Sequence, residues 1–169
     1  MGKNDSYNTV TAFIIENRVP LYRLAYSYVH NKEEAMDIIQ DSICKALASI
    51  QSLKNQERVK PWFYRILVNT AIDFIRKNKK YIYLEPDMLE AEISSLDDSY
   101  QDFDLRNSMD KLSTANKTII VLRFYEGLEL GEIADIMNEN LSTIKTRLYS
   151  SLKKMRIELD ETERAMSRN

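Results

Sequence analysis

The chain has 169 residues, with 24 Lys and Arg against 26 Asp and Glu, a formal net charge of −2 and 44% apolar residues. Near-balanced charge speaks against a coat that binds nucleic acid without specificity, and the single Cys44 excludes an internal disulfide and a multi-cysteine metal site. Only three Gly and three Pro leave few turn signals. The expected fold class is therefore all-α, in two small helical domains. The opening MGKNDSYNTVTAF holds no apolar run of signal-peptide length, and no segment is apolar enough to span a bilayer. The expected setting is a reducing cytoplasm.

A first helical block runs from about Thr9 to Lys80. Leu21, Leu24, Ala25 and Tyr28 form one apolar stripe, which ends at His30 and Asn31. Between Glu33 and Ala48 the residues Ala35, Ile38, Ile39, Ile43, Ala46 and Leu47 recur at helical spacing. Cys44 falls among them and is expected to be a core thiol. Asp37, Gln40 and Asp41 stand at i, i+3 and i+4 opposite that stripe. Spacing leaves two readings open for them, a solvated helix face or a docking face for a protein.

After a polar stretch, Pro61 marks the first turn of a new helix. Trp62, Phe63, Ile66, Leu67, Thr70, Ala71, Phe74 and Ile75 would line its buried side. On the other side Arg65, Asn69 and Asp73 recur every four residues, with Arg76 and Lys77 close behind. Asp73 can pair with Arg76 or Lys77 across one turn, worth only a few tenths of a kcal/mol when exposed. A solvated face explains this pattern. So does recognition of an unstacked base, for which the Asn69 amide offers a donor and an acceptor, the cations hold a phosphate backbone, and Leu53 or Trp62 walls a pocket.

Charge is segregated along the chain. Lys54 to Lys80 carries eight basic and two acidic residues, whereas Tyr81 to Asp110 carries nine acidic and one basic. Residues 81–102 read as an acidic linker, with a helical turn in MLEAEI. A second block follows over 103–161. Leu105, Met109 and Leu112 lie on one helix, and Ile119, Ile120, Leu122, Arg123 and Phe124 on another, ended by Gly127 as a C-cap. A polar tail occupies 162–169.

From Leu130 to Arg156 the pattern is a helix-turn-helix. Ala134 allows close packing, Ile133, Ile136 and Met137 form the apolar face, and Asn138 suits a left-handed turn. Ser142 or Thr143 can cap the second helix, and Ile144 and Leu148 point to the core. That helix carries Lys145, Arg147, Lys153, Lys154 and Arg156, with no acid between Leu141 and Ile157. A basic helix braced by a second helix suits the DNA major groove. Lys145, Thr146, Arg147, Tyr149 and Ser150 are its candidate contacts. No Gly-rich phosphate loop or metal-ligating cluster is present in the sequence, so an enzyme is not expected.

The stretches LYRLAYSYVHNKEEAMDIIQDSICKAL and KPWFYRILVNTAIDFIRKNKK resemble region 2 of bacterial sigma factors. FYEGLELGEIADIMNENLSTIKTRLYSSLKKMR resembles their region 4. The order and the short linker resemble the extracytoplasmic-function group of the sigma-70 family, and within it the sigma-V-type factors. The resemblance implies region 2 over 1–80, the linker over 81–102 and region 4 over 103–161. It implies an alternative transcription initiation factor that binds core RNA polymerase and promoter DNA at stress-type promoters. Asp37, Gln40 and Asp41 would dock on the polymerase clamp. Asn69 would contact a flipped base of the minus-ten element, with Leu53 near its pocket and Arg65, Arg76 and Lys77 on the strand. Lys145, Thr146, Arg147, Tyr149 and Ser150 would read the minus-thirty-five element. Many relatives carry Arg where this chain has Ser150 and Leu152, so its upstream element is expected to differ. The resemblance further implies no cofactor and no metal, a monomer when free, and an anti-sigma factor, often membrane-anchored, as regulator. Two rivals remain: a stand-alone, dimeric helix-turn-helix regulator, which lacks apolar heptads for its interface, and a module that sequesters another protein, which leaves the basic helix unexplained.

Overall fold

A computed structural model of the chain describes residues 3–82 and 108–166. Most of the expected linker, with its MLEAEI turn, and the end of the polar tail lie outside the described residues. In chain order the elements are α1 (Lys3–Glu16), α2 (Arg18–Val29), α3 (Lys32–Ala48) and α4 (Val59–Ile82). They are followed by α5 (Thr114–Ile120), α6 (Leu130–Met137) and α7 (Leu141–Met166). Two 3-10 turns, Ile50–Ser52 and Gln56–Arg58, bridge α3 to α4, and α5 widens into a π turn over Val121–Tyr125. Among the described residues there is no strand, as the composition predicts.

The helix ends follow from local chemistry. His30 closes α2 in the left-handed conformation, φ 51°, with its N–H bonded to Tyr26 O. Asn31 then caps α3, its side chain accepting from the Glu34 N–H at 3.0 Å. Pro61 sits in the first turn of α4, where a missing N–H costs nothing. Gly127 has φ 66° and lets Leu128 N–H return to Leu122 O at 3.0 Å, ending the π turn as its sequence predicts.

α3 corrects one expectation. Its buried residues are Ala35, Ile38, Ser42 and Ala46, spaced three and four apart. Cys44 stands two residues from Ser42, on the far side at about 100° per residue, and is exposed. Leu47 is likewise partly exposed, at 37%.

Phe13, Leu21, Leu24, Ile38, Phe63 and Leu67 build the core of the first block, and Ile119, Leu122, Ile133, Ile136 and Ile144 that of the second. The sequence pattern reads as two domains on a tether, yet these side chains belong to one contiguous cluster. α4 packs directly on α6. Each block is small enough for its core to be marginal, and the apolar surface that one leaves open the other covers.

Candidate nucleic-acid and polymerase interface

On α3, Asp37, Gln40 and Asp41 are all exposed, as their spacing opposite the apolar stripe requires. Asp41 is held by Lys45 at 2.9 Å, and the same ammonium donates to Thr70 Oγ1 on α4 at 3.3 Å. Lys45 therefore ties the acidic face to the residue next to Asn69. The i,i+4 half of this bridge is legible in sequence; the half that reaches Thr70 is not, since it depends on how α3 crosses α4.

On α4, Arg65, Asn69, Asp73, Arg76 and Lys77 are exposed on one side, while Phe63, Tyr64, Leu67, Val68 and Ala71 are buried on the other. Among the described residues, no ion pair joins Asp73 to Arg76 or Lys77. Both partners remain hydrated there, and an exposed pair gains too little to fix two long side chains. Leu53 is only 4% exposed, packed with Val10 and Ile50. It anchors the loop before α4 from beneath and does not present its side chain outward as a pocket wall would. Trp62 is half-buried at the same place, and its indole N–H donates to Ser52 Oγ at 2.9 Å, so the loop is pinned at Ser52 as well as at Leu53.

In the helix-turn-helix, Asn138 ends α6 with φ 53° and ψ 46°. Glu129 and Glu132 close a capping box at its start. α7 begins at Leu141, one residue before the cap expected at Ser142. Ser142 is thus inside the first turn, where its carbonyl accepts from the Thr146 hydroxyl at 2.9 Å. Ile144, Leu148, Ser151 and Met155 form the buried stripe of α7. Lys145, Thr146, Tyr149 and Ser150 are exposed, Tyr149 by 65%, too much for a core aromatic. Arg147 differs from the other four. It is partly covered and lies 3.2 Å from Glu139 in the turn, so the basic helix has an acidic partner just before its own first residue.

A seam between the two blocks carries polar groups that the sequence reading did not single out. The Tyr28 hydroxyl and Thr118 Oγ1 share a hydrogen bond, and Thr118 Oγ1 also reaches Thr114 O. Burial pushes the Tyr28 phenol well above its ordinary range, with the Thr118 bond opposing. Tyr64 donates to Glu126 Oε2 at 2.5 Å, and Lys60 Nζ donates to the Glu126 carbonyl at 2.7 Å. Burial raises the Tyr64 phenol first, and the bond to Glu126 and its charge raise it further. His30 lies 3.3 Å from Asp110, Arg58 3.6 Å from Asp135, and the Arg23 guanidinium 5.8 Å from the centre of the Tyr125 ring. Sequence separations of 62 and 90 residues hide such pairs from any local pattern.

Among the described residues, no cluster of His, Cys, Asp and Glu has the makings of a metal site, and no helix is long and apolar enough to cross a membrane.

The described residues thus form two helical units in order, one with an Asn among cations and one with a basic helix. Residues 13–81 match the model of sigma-70 region 2, and residues 108–156 match that of sigma-70 region 4. The chain belongs to the sigma-70 family of RNA polymerase sigma factors, in its extracytoplasmic-function group. It is 49% identical over 150 residues to RNA polymerase sigma factor SigV of Bacillus subtilis (strain 168), a match covering 89% of this chain and 90% of that protein. It is 30% identical to the ECF RNA polymerase sigma factor SigW of the same organism, over 82% of each chain. Its fold is similar to that of the sigma factor RpoE from Bartonella quintana, solved in complex with the anti-sigma factor NepR. That likeness has a TM-score of 0.75 at 22% identity and covers 88% of this chain and 97% of that one.

Proposed function

We propose that this chain is an alternative sigma factor that binds core RNA polymerase, directs it to stress-type promoters, and is held inactive by an anti-sigma factor. The observation that carries the reading is the exposure of three chemically different faces on three helices in the order the family uses. α3 offers acids and an amide, α4 an amide between cations, and α7 cations with hydroxyls and an aromatic ring.

In this reading Asp37, Gln40 and Asp41 dock on the polymerase clamp. Asn69 pairs with a base flipped from the minus-ten element, and Arg65, Arg76 and Lys77 hold the strand phosphates. Leu53 fixes the height of the adjoining loop. Lys145, Thr146, Arg147, Tyr149 and Ser150 read the minus-thirty-five element in the major groove. Ser150 offers one hydroxyl where a guanidinium would make a bidentate contact worth about 1–3 kcal/mol, so discrimination shifts toward Lys145 and Arg147. The regulator is an anti-sigma factor, in this reading a membrane-anchored one that keeps the factor at the inner face of the membrane until release.

Cys44 gives a direct test, because it is exposed and lies three residues beyond Asp41 on α3. Saturating core polymerase should slow alkylation of its thiol several-fold. Stable core binding with an unchanged alkylation rate would contradict the assignment of α3. No core binding at all would contradict the function.

A further inference from the structure

Lys45 stands where the acidic face of α3 meets the reading face of α4. Its ammonium lies 2.9 Å from Asp41 Oδ2 and 3.3 Å from Thr70 Oγ1. The Thr70 hydroxyl gives its own hydrogen to Ile66 O at 2.8 Å, so its oxygen is left to accept from Lys45. Thr70 is only 2% exposed, whereas Asn69 just before it is exposed. One residue turns a helix by about 100°, so Thr70 marks the edge between the buried side of α4 and the face that carries Asn69. The Lys45 ammonium is fixed at that edge. An ammonium has three donors, and these two bonds use two of them. The side chain is 44% exposed, which leaves room for a third acceptor from outside.

We propose that Lys45 is a further phosphate-binding cation of the minus-ten face, kept in reserve by Asp41 until a cation of the polymerase takes that carboxylate. The parts played by polymerase and promoter rest on the sigma reading above; the competition between Asp41 and a phosphate for Lys45 does not.

A plain i,i+4 surface pair needs no third partner, yet here a buried hydroxyl of the next helix holds the ammonium as well. Its place also differs from that of the other cations. Arg65, Arg76 and Lys77 stand four, seven and eight residues from Asn69 along α4 itself, whereas Lys45 reaches the residue beside Asn69 from the neighbouring helix. A strand with a base held by Asn69 meets this ammonium from the side of α3.

Asp41 decides whether the ammonium is available. Its carboxylate neutralises Lys45 in the free chain and is one of the three docking groups on α3. A carboxylate can accept from two cations, but its single negative charge is then shared between them. Docking through Asp41 therefore leaves Lys45 with less counter-charge, and a phosphate supplies what is missing. A cation is added to the DNA face with no helix displaced.

Full chains carrying Asp41→Asn, Lys45→Met or both test this. The probe is a short single-stranded DNA, followed by fluorescence anisotropy across a salt series. The basic helix α7 is the same in every chain and cancels in the comparison. In the free chain Asp41→Asn should tighten binding about two- to threefold and steepen log affinity against log salt by about 0.7, the share of one single-strand phosphate. Lys45→Met should change the free wild type little, and the double variant should bind as Lys45→Met does. With core polymerase bound, the wild type should show the extra slope, Lys45→Arg should keep it and Lys45→Met should lose it. A gain from Asp41→Asn that survives in the double variant reports only a general loss of negative charge and would overturn the proposal. So would a slope that Lys45→Met leaves unchanged in the polymerase complex. If the wild type directs transcription in either of those cases, the sigma reading stands and only the role of Lys45 fails. If the free chains behave as expected and none of them binds core, the competition for Lys45 stands and the sigma reading fails.

Discussion

Arg147 and Glu139 lie 3.2 Å apart and join the reading helix to the turn that precedes it. Both are partly covered, so the pair positions the guanidinium before DNA arrives. In the proposed reading it also competes with a phosphate or base for the same cation. Glu139→Gln should therefore strengthen binding to the upstream element by two- to fivefold, consistent with about 0.5–1 kcal/mol for such a pair. Fluorescence anisotropy with duplex DNA at fixed salt measures this, and weaker binding would mean that Glu139 positions Arg147 more than it competes.

Lys145 is exposed on α7, and in the proposed reading it serves as a phosphate or base-edge cation. Lys145→Ala should weaken upstream binding and reduce the slope of log affinity against log salt by about 0.9, the share of one phosphate. A salt titration of binding reads both. An unchanged slope would take Lys145 off the DNA.

Asn69 and Asp41 test the separation of faces. Asn69→Ala should slow promoter opening by about ten- to hundredfold, in the range of one lost base contact, while core binding stays intact. Asp41→Lys should do the reverse and weaken core association. It also removes the Asp41–Lys45 pair, worth only about 0.3–0.5 kcal/mol when exposed, so the melting temperature should scarcely move. Loss of core binding in Asn69→Ala would show that the two faces are wrongly divided.

Asn138 holds the turn at φ 53°, in the left-handed region. Asn138→Gly should leave stability within about 0.5 kcal/mol of the wild type, whereas Asn138→Val should cost about 1–3 kcal/mol, because a β-branched residue is strained there. Thermal unfolding separates the two.

Tyr28 and Tyr64 give the pH dependence. Burial raises both phenols above their ordinary value of about 10. The folded state favours the neutral form, so this stability is fully present below about pH 10 and is lost as pH rises beyond it. In an alkaline absorbance titration these two should ionise last, with unfolding, and Tyr64→Phe should remove one of the late steps.

The local architecture was largely legible in the sequence. The stripe Ala35, Ile38 and Ala46, the stop at His30 and Asn31, and the turn at Asn138 all follow from helical period and capping chemistry. The exposed faces on α3, α4 and α7 are the complements of those stripes and came with them. Cys44 was misplaced because period alone cannot say how wide a buried stripe is, and α3 buries a narrow one lined by Ala and Ser. The burial of Leu53 is hidden from local pattern because its cover comes from Val10, more than forty residues earlier. The seam was invisible for the same reason. Tyr64 reads as a core aromatic and Glu126 as a loop acid, and only the packing of α4 on α6 brings them together.

In the proposed function the chain confers promoter choice on core RNA polymerase. Run-off transcription with purified core, with and without the chain, on DNA from upstream of its own gene tests it most directly. The expected result is a discrete transcript that requires the chain and disappears with Asn69→Ala at limiting concentrations. Failure of the chain to bind core, with no transcript from that template or from a genomic fragment library, would contradict it.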